Sequence, residues 1–291
     1  MPSLNLTAFN IQNYLERNDK IKRWLRINDS TFCFGTNKGI VGICYLNSGT
    51  IKKMQLPRQT EVQAITYDTS SNSLFVFCDL LYKVGLKSLV IEDKFNVTST
   101  KDIKISDKTI YCATSSHLVV IKDKIVQKYF DRNWINTLEL DKKSNVLWLG
   151  SNNGLHSFNL ISSVCKDEII SILKKPFTSV AKVKQMPNSD LLLHVINGGL
   201  LRGNTKDGFK YFRKDDAILD FNMDGNYLFI VYKDYLDIVD ITTNKQIIKL
   251  NRSKCLEPSL ISSYKYKDGL VMLFSKNYLI YNEIPYPNIV Q

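Results

Sequence analysis

An eight-residue sentence occurs twice in this chain. Residues 32–39 read FCFGTNKG and residues 147–154 read LWLGSNNG. Each runs three apolar residues into a glycine, a short polar turn and a second glycine. Extending the later copy by LHSFNL gives a template: apolar run, small or apolar fourth position, polar turn, second apolar run. Seven windows fit it without an internal gap: FCFGTNKGIVGICYL from Phe32, FVFCDLLYKVGLKSL from Phe75, IYCATSSHLVVI from Ile110, LWLGSNNGLHSFNL from Leu147, LLHVINGGLLRGNT from Leu192, LFIVYKDYLDIVDI from Leu228 and VMLFSKNYLIYNEI from Val271. The fourth positions are Gly35, Cys78, Ala113, Gly150, Val195, Val231 and Phe274, spaced 35 to 45 residues apart. A period of this length marks units that bury their apolar faces only against neighbours.

Each window reads as strand, tight turn and strand, because its apolar positions are rich in β-branched and aromatic residues. A further strand precedes each one: KRWLRI, VQAITY, DIKI, WINTLEL, VAKVKQM, AILDFNM and LISSYKY. Between that strand and the window stands an aspartate in every unit: Asp29, Asp68, Asp107, Asp141, Asp190, Asp224 and Asp268. Such a series reads as turn chemistry rather than a metal array, since a short carboxylate can accept from nearby backbone N–H groups. A fourth strand follows most windows, as in TIKKMQL, FNVTS, KIVQKYF, FKYFR and KQIIKL. Four strands per unit with a period near 40 describe the blades of a β-propeller. The expected fold is therefore all-β: one seven-bladed propeller domain over residues 1–291. The last unit shows no fourth strand, and SLNLTAF near the N-terminus has no sheet of its own. The N-terminal strand is expected to close the ring there and so remove an open sheet edge. The small fourth residues of the windows are expected to let neighbouring sheets approach closely.

Across nearly the whole chain this pattern resembles the WD-repeat propeller superfamily, as a divergent member without the usual GH and WD dipeptides. WLRINDSTFCFGTNKGIVGICYL also looks like the citron-homology propellers of vesicle-tethering subunits. A compact chain of this length is similar too to the spindle-checkpoint and mRNA-export propellers. These likenesses imply an intracellular, eukaryotic subunit of a multiprotein complex.

The chemistry of the remaining residues points the same way. No run of 18 apolar residues occurs, and MPSLNLTAFN lacks the charged start and apolar block of a secretory signal. The cysteines at 33, 44, 78, 112, 165 and 255 include no CxxC pair. They read as buried free thiols in a reducing compartment, cytoplasm or nucleus. His117, His156 and His194 lie in separate units with no ligand spacing, so no metal is expected. GxSxG and the nucleotide P-loop are absent, so no catalytic residue and no cofactor are assigned. NGGLLRGN at 197–204 is glycine-rich but lies in a hairpin rather than before a helix, which a phosphate cradle needs. It also has one arginine where the phosphoinositide-binding propellers carry the pair of an FRRG motif. Trp24, Trp134 and Trp148 are expected in the core, with Trp148 buried between neighbouring blades.

Charge supplies the partner. The chain carries 39 Lys and Arg against 28 Asp and Glu, a net +11. On a propeller, one face holds the turns between the second and third strands together with the crossings between blades. Lys38, Arg132, Lys174, Lys175, Arg213, Lys214 and Lys233 fall there, and the opposite face is the more acidic. The expectation is a non-catalytic scaffold that binds other proteins, gripping acidic or phosphorylated segments on its basic face. Nucleic-acid or anionic-membrane binding by the same face is the alternative.

Overall fold

The computed structural model describes residues 5–131, 133–170, 178–215, 217–233, 235–251, 260–266, 269–274 and 277–282. Arg132, Lys174, Lys175, Cys255 and Asp268, all singled out above, lie outside the described residues.

The described strands fall into seven four-stranded sheets. Strand β1 (Asn5–Asn10) is followed by a 3-10 turn, Ile11–Tyr14. Blade 1 is β2 (Ile21–Asn28), β3 (Thr31–Thr36), β4 (Ile40–Tyr45) and β5 (Thr50–Gln55). Blade 2 is β6 (Ala64–Asp68), β7 (Ser73–Phe77), β8 (Leu81–Gly85) and β9 (Ile91–Phe95). Blade 3 is β10 (Asp102–Ser106), β11 (Thr109–Ala113), β12 (Leu118–Lys122) and β13 (Ile125–Tyr129). Blade 4 is β14 (Ile135–Asp141), β15 (Val146–Ser151), β16 (Gly154–Asn159) and β17 (Cys165–Glu168). Blade 5 is β18 (Val180–Gln185), β19 (Leu191–Val195), β20 (Gly199–Asn204) and β21 (Gly208–Arg213). Blade 6 is β22 (Ile218–Asp224), β23 (Tyr227–Tyr232), β24 (Tyr235–Asp240) and β25 (Lys245–Asn251). The last sheet holds β26 (Leu260–Tyr266), β27 (Gly269–Phe274) and β28 (Asn277–Asn282). Its fourth strand is β1, which runs antiparallel to β28 from Asn5 opposite Asn282 to Asn10 opposite Asn277.

Two compact units emerge from the backbone contacts. One comprises Met1–Cys78, Val84–Ile91 and Ile218–Gln291; the other comprises Asp79–Lys83 and Glu92–Ala217. In the first, Leu273 of the last sheet packs with Trp24, Phe32 and Phe34 of blade 1, and Met272 packs with Phe229, Leu236 and Ile238 of blade 6. In the second, the core between blades 3 and 4 joins Tyr111, Leu118 and Val120 to Leu147, Leu149 and Phe158. Leu155 of blade 4 packs with Val180, Val183 and Leu193 of blade 5. Second strands are buried on both sides, as in β3, β7 and β19, whereas fourth strands such as β13 are mostly exposed. This explains the continuous apolar runs at the start of each window and the alternation that follows them.

The close approach expected at the fourth window position is present in both copies of the sentence. A methyl group built on Gly35 would sit 2.4 Å from Val62 Cγ1, at the crossing into blade 2. On Gly150 it would sit 2.7 Å from Thr137 Cγ2 and 2.9 Å from the backbone oxygen of Val180, the first residue of blade 5. All three distances are shorter than real Cβ atoms show, so glycine suits the sheet-to-sheet packing at both positions.

Several expectations are corrected. The fourth strand of blade 2 is IEDKF, not FNVTS: the Gly85 N–H donates to Val90 O and the Leu89 N–H to Gly85 O, a tight turn that begins β9 earlier. Trp24 is buried against Phe34, edge to face at 5.5 Å. Trp148, however, is only half-buried. Its partners in register are Glu139 and Ser157, and it packs at the margin of the apolar cluster that includes Leu155, Val180 and Val183. Trp134 is 45% exposed, because it precedes β14 in the crossing rather than lying within the strand. Of the turn aspartates, Asp68 accepts from the N–H groups of Ser70 and Ser71, and Asp141 from those of Lys143 and Ser144. Asp224 instead pairs with Arg26 of blade 1 at 2.6 Å.

Candidate interaction face

In an antiparallel four-strand meander, the start of the first strand, the end of the second, the start of the third and the end of the fourth share one end of the sheet. The middle of each repeated sentence is built at that end. Its fifth residue is a hydroxyl whose role the sequence reading missed. Thr36 Oγ1 accepts from the N–H groups of Lys38 (3.3 Å) and Ile40 (3.1 Å). Thr114 Oγ1 accepts from the His117 N–H at 2.9 Å, and Ser151 Oγ from the Asn153 N–H at 2.9 Å. Each hydroxyl satisfies donors that the turn would otherwise leave unpaired, as serine and threonine do in short turns. The signal was present in the sequence as the Thr or Ser after position four.

At this end of blades 4 and 5 the turns are tied into a continuous strip. The Asn152 N–H donates to Trp134 O (3.0 Å), and Asn153 Nδ2 donates to Asn133 Oδ1 (2.8 Å). Asn152 Oδ1 accepts from Asn136 Nδ2 (3.0 Å) and from the Ser179 hydroxyl (3.2 Å). The Ile196 N–H donates to Ser179 O at 3.0 Å. Two exposed apolar side chains stand along this strip, Trp134 and Ile196, the latter 50% exposed. The Lys101 ammonium lies 5.6 Å from the centre of the Trp134 ring, within the range of a cation–aromatic attraction. Lys214 lies similarly over Tyr211, at 5.5 Å.

Beneath the strip lies a serine–histidine–aspartate chain. His156 Nε2 is 2.8 Å from Ser151 Oγ, and His156 Nδ1 is 2.8 Å from Asp167 Oδ1. With the carboxylate as acceptor, Nδ1 carries the proton and Nε2 accepts from the Ser151 hydroxyl. Burial lowers the His156 pKa below its ordinary 6.5, against the opposing pull of Asp167, so the neutral ring is favoured. Ser151 is fully buried and already accepts from Asn153, so its oxygen has no approach for a substrate carbonyl. The chain therefore fixes the turn under the strip. His117 forms a second such contact, with Ser116 Oγ 2.7 Å from Nδ1 and Asp131 2.9 Å from Nε2. There the serine meets the ring nitrogen opposite to the one it meets at His156.

The basic residues expected on this face are placed unevenly. Lys214 is exposed and Arg213 half-buried, both where β21 leaves blade 5. The Arg213 guanidinium lies 4.9 Å from the Phe212 ring and donates to Phe212 O. Lys233 is exposed in the turn between β23 and β24 of blade 6. Lys38 is engaged instead by Glu16 at 3.2 Å and Asp19 at 3.4 Å. Both acids belong to the segment between β1 and β2, which the sequence reading assigned to neither face. The pairing holds the Lys38 pKa above its ordinary range, with the Glu16 hydrogen bond as the main cause. Cys33, Cys44, Cys78 and Cys112 are buried and in no disulfide, and the half-buried Cys165 is pushed up to about 11 by burial. No group of three potential metal-ligating side chains occurs among the described residues.

Comparison with known proteins agrees with the architecture. The LVIVD repeat model matches residues 220–265, which cover blade 6 and most of β26. Leu236–Asp240 reads LDIVD, one residue from the repeat's name. No curated sequence matches the chain. Among solved structures, the β-propeller domain of Myceliophteria thermophila Cps50 (Swd1) superposes with a TM-score of 0.70 at 9% identity, covering 91% of this chain and 100% of that one. The AfRom2 CNH domain gives 0.64 at 11% identity, covering 97% and 100%. The computationally designed Ika8 protein gives 0.64 at 11% identity, covering 90% and 83%. The fold is a β-propeller of four-stranded blades. The sequence match is to the LVIVD repeat and not to the WD repeat. No helix among the described residues is long and apolar enough to cross a membrane.

Proposed function

We propose that this chain is a non-catalytic scaffold, a single seven-bladed propeller closed by its N-terminal strand. The turn end of blades 3 to 5 grips an acidic or phosphorylated segment of a protein partner inside the cell. One observation carries the reading. An exposed tryptophan and an exposed isoleucine are joined by a hydrogen-bonded strip that holds both turns in place, with Lys101 and Lys214 beside aromatic rings at the same end. Partly desolvated tryptophan on a rigid support is the usual anchor of a protein interface, and neighbouring cations select an anionic target and speed encounter. The sequence adds Arg132, Lys174 and Lys175 on the segments that cross between these blades. Lysines act there as flexible point charges, whereas Arg213 offers a planar fork for carboxylate or phosphate. The pairing of β1 with β28 supports closure, because it gives the last blade its fourth strand.

Two variants in a partner-capture experiment test this. Trp134→Ala removes the anchor; a second variant reverses Lys174, Lys175, Arg213 and Lys214 to glutamate. Both are expected to fold, since Trp134 is 45% exposed in a crossing and charges on loops contribute little to stability, and both are expected to lose the captured proteins. An unchanged set of partners on both variants removes this face from the proposal. Capture of nucleic acid or anionic vesicles, weakening steeply with salt, would replace the protein partner with those ligands.

A further inference from the structure

The sequence holds two Asn–Gly steps, Asn153–Gly154 and Asn197–Gly198. Both fall in turns between second and third strands, in blades 4 and 5, beside the strip described above. Such a step carries chemistry of its own. Glycine has no Cβ to shield its backbone nitrogen, so that nitrogen can reach the side-chain amide of the residue before it. The two steps are held differently. Asn153 Nδ2 donates to Asn133 Oδ1 at 2.8 Å, and the Asn153 N–H donates to Ser151 Oγ, which His156 holds in turn. Gly154 opens β16 and faces Ser151 across the ladder. The Asn197 side chain, by contrast, is exposed and makes no hydrogen bond among the described residues. Gly198 lies in the turn before β20, where its N–H donates to Val195 O at 3.0 Å. Asn197 also sits at φ 57°, in the left-handed region that is costly for a residue with a side chain.

We infer that Asn197 is a site of deamidation in the folded protein, and that Asn153, in the same dipeptide, is protected. An exposed turn opens locally without unfolding the blade. With the bond to Val195 open, the Gly198 nitrogen gives its proton to hydroxide or buffer base and attacks Asn197 Cγ. The N–Cγ bond forms, the Cγ–Nδ2 bond breaks, and the nitrogen leaves as ammonia after taking up a proton. Water then opens the cyclic succinimide. Hydrolysis at Cγ gives aspartate; hydrolysis at the main-chain carbonyl gives isoaspartate. Nothing is oxidised or reduced. Either product places a carboxylate next to the exposed Ile196. A methyl group built on Gly199 would sit 2.2 Å from Arg213 O, so the new charge arises beside the strand end that carries Arg213 and Lys214. Like charges across an interface suppress binding. Resting on the function proposed above, deamidation at Asn197 therefore turns this face away from an acidic partner, and does so irreversibly.

The test is incubation of the folded whole chain in mildly alkaline buffer, with mass mapping of the peptides around both steps over time. Each rate is divided by that of the same step in the urea-unfolded chain, which removes the effect of neighbouring residues. On that scale Asn153 is expected to convert several-fold to about ten-fold more slowly than Asn197, the ratio that one further hydrogen bond supplies. Asn133→Ala should release the Asn153 amide and raise its rate without moving that of Asn197. No conversion of Asn197 in the folded chain, equal protection of the two steps, or an Asn153 rate unmoved by Asn133→Ala would overturn the inference. These readings need no partner. Asn197→Asp, which installs the product charge directly, is expected to lose the captured proteins. Full capture by Asn197→Asp where Trp134→Ala loses it would overturn the effect on binding. Full capture by both variants would overturn the proposed face and leave the modification standing.

Discussion

The two copies of the repeated sentence build the same turn and leave it in different surroundings. In both, the fourth-position glycine lets the next blade approach, and the hydroxyl that follows accepts from the turn's own N–H groups. In blade 1 the segment after β1 then folds over the turn. Asn37 exchanges hydrogen bonds with the Lys20 backbone and donates to Asn18 O, and Lys38 is neutralised by Glu16 and Asp19. In blade 4 the equivalent residues are Asn152 and Asn153, which reach sideways to Trp134, Asn133 and Ser179 and leave an apolar ring at the surface. The motif fixes the turn, and what lies over the turn decides whether it is available to a partner.

The comparison can be broken most severely at the shared glycines. Gly35→Ala and Gly150→Ala should each cost about 1–3 kcal/mol, the range for forcing a carbon into a packed site, read from denaturant midpoints. Gly150→Ala should be the less readily relieved, because one of its close neighbours is backbone rather than a side chain. A loss below about 0.5 kcal/mol at both positions would mean that the blades can separate without cost.

A second difference is titratable. Blade 4 holds its turn through His156, whereas the Thr36 hydroxyl of blade 1 caps its turn by accepting from the Lys38 and Ile40 N–H groups. The folded pKa of His156 lies below its unfolded value near 6.5, with burial the leading cause. The folded state thus binds the proton less readily than the unfolded chain. The contribution is fully present above the unfolded pKa and is lost as pH falls from there through the depressed folded value. Stability should drop as pH falls from 7 through 6, and His156→Gln should flatten that slope. An unchanged slope in the variant would assign the pH dependence to other groups.

The smallest effect is expected at Lys38. Its ammonium is spent on Glu16 and Asp19, so Lys38→Met should leave partner capture within about two-fold of the parent, a difference under about 0.5 kcal/mol in binding. A loss comparable to that of Trp134→Ala would return blade 1 to the interaction face.

Most of the blade pattern was legible because apolar periodicity and turn chemistry are local. The windows from Phe32, Ile110, Leu147 and Leu192 fall on observed strand–turn–strand units, and Gly35 and Gly150 pack as their position suggested. FNVTS was misplaced because the tight turn closed by Gly85 and Val90 has neither a proline nor a glycine at its central residues, Leu86 to Leu89. Trp134 was assigned to the core from its sequence alone, yet one residue separates a crossing from a strand, and that residue decides exposure. Lys38 looked like a free cation because its partners lie some twenty residues upstream, in a segment with no repeat to align it.

The sequence by itself determined the repeat, the strand order within each blade and the need for glycine where sheets meet. These follow from spacing, side-chain volume and backbone chemistry over a few residues. Only the tertiary structure decided which charges are already paired, which turn is covered, and that Lys104 and Lys184 reach the same oxygen of Glu139, Oε2. Those facts depend on strands about forty residues apart lying side by side, and no local pattern encodes the distance between them.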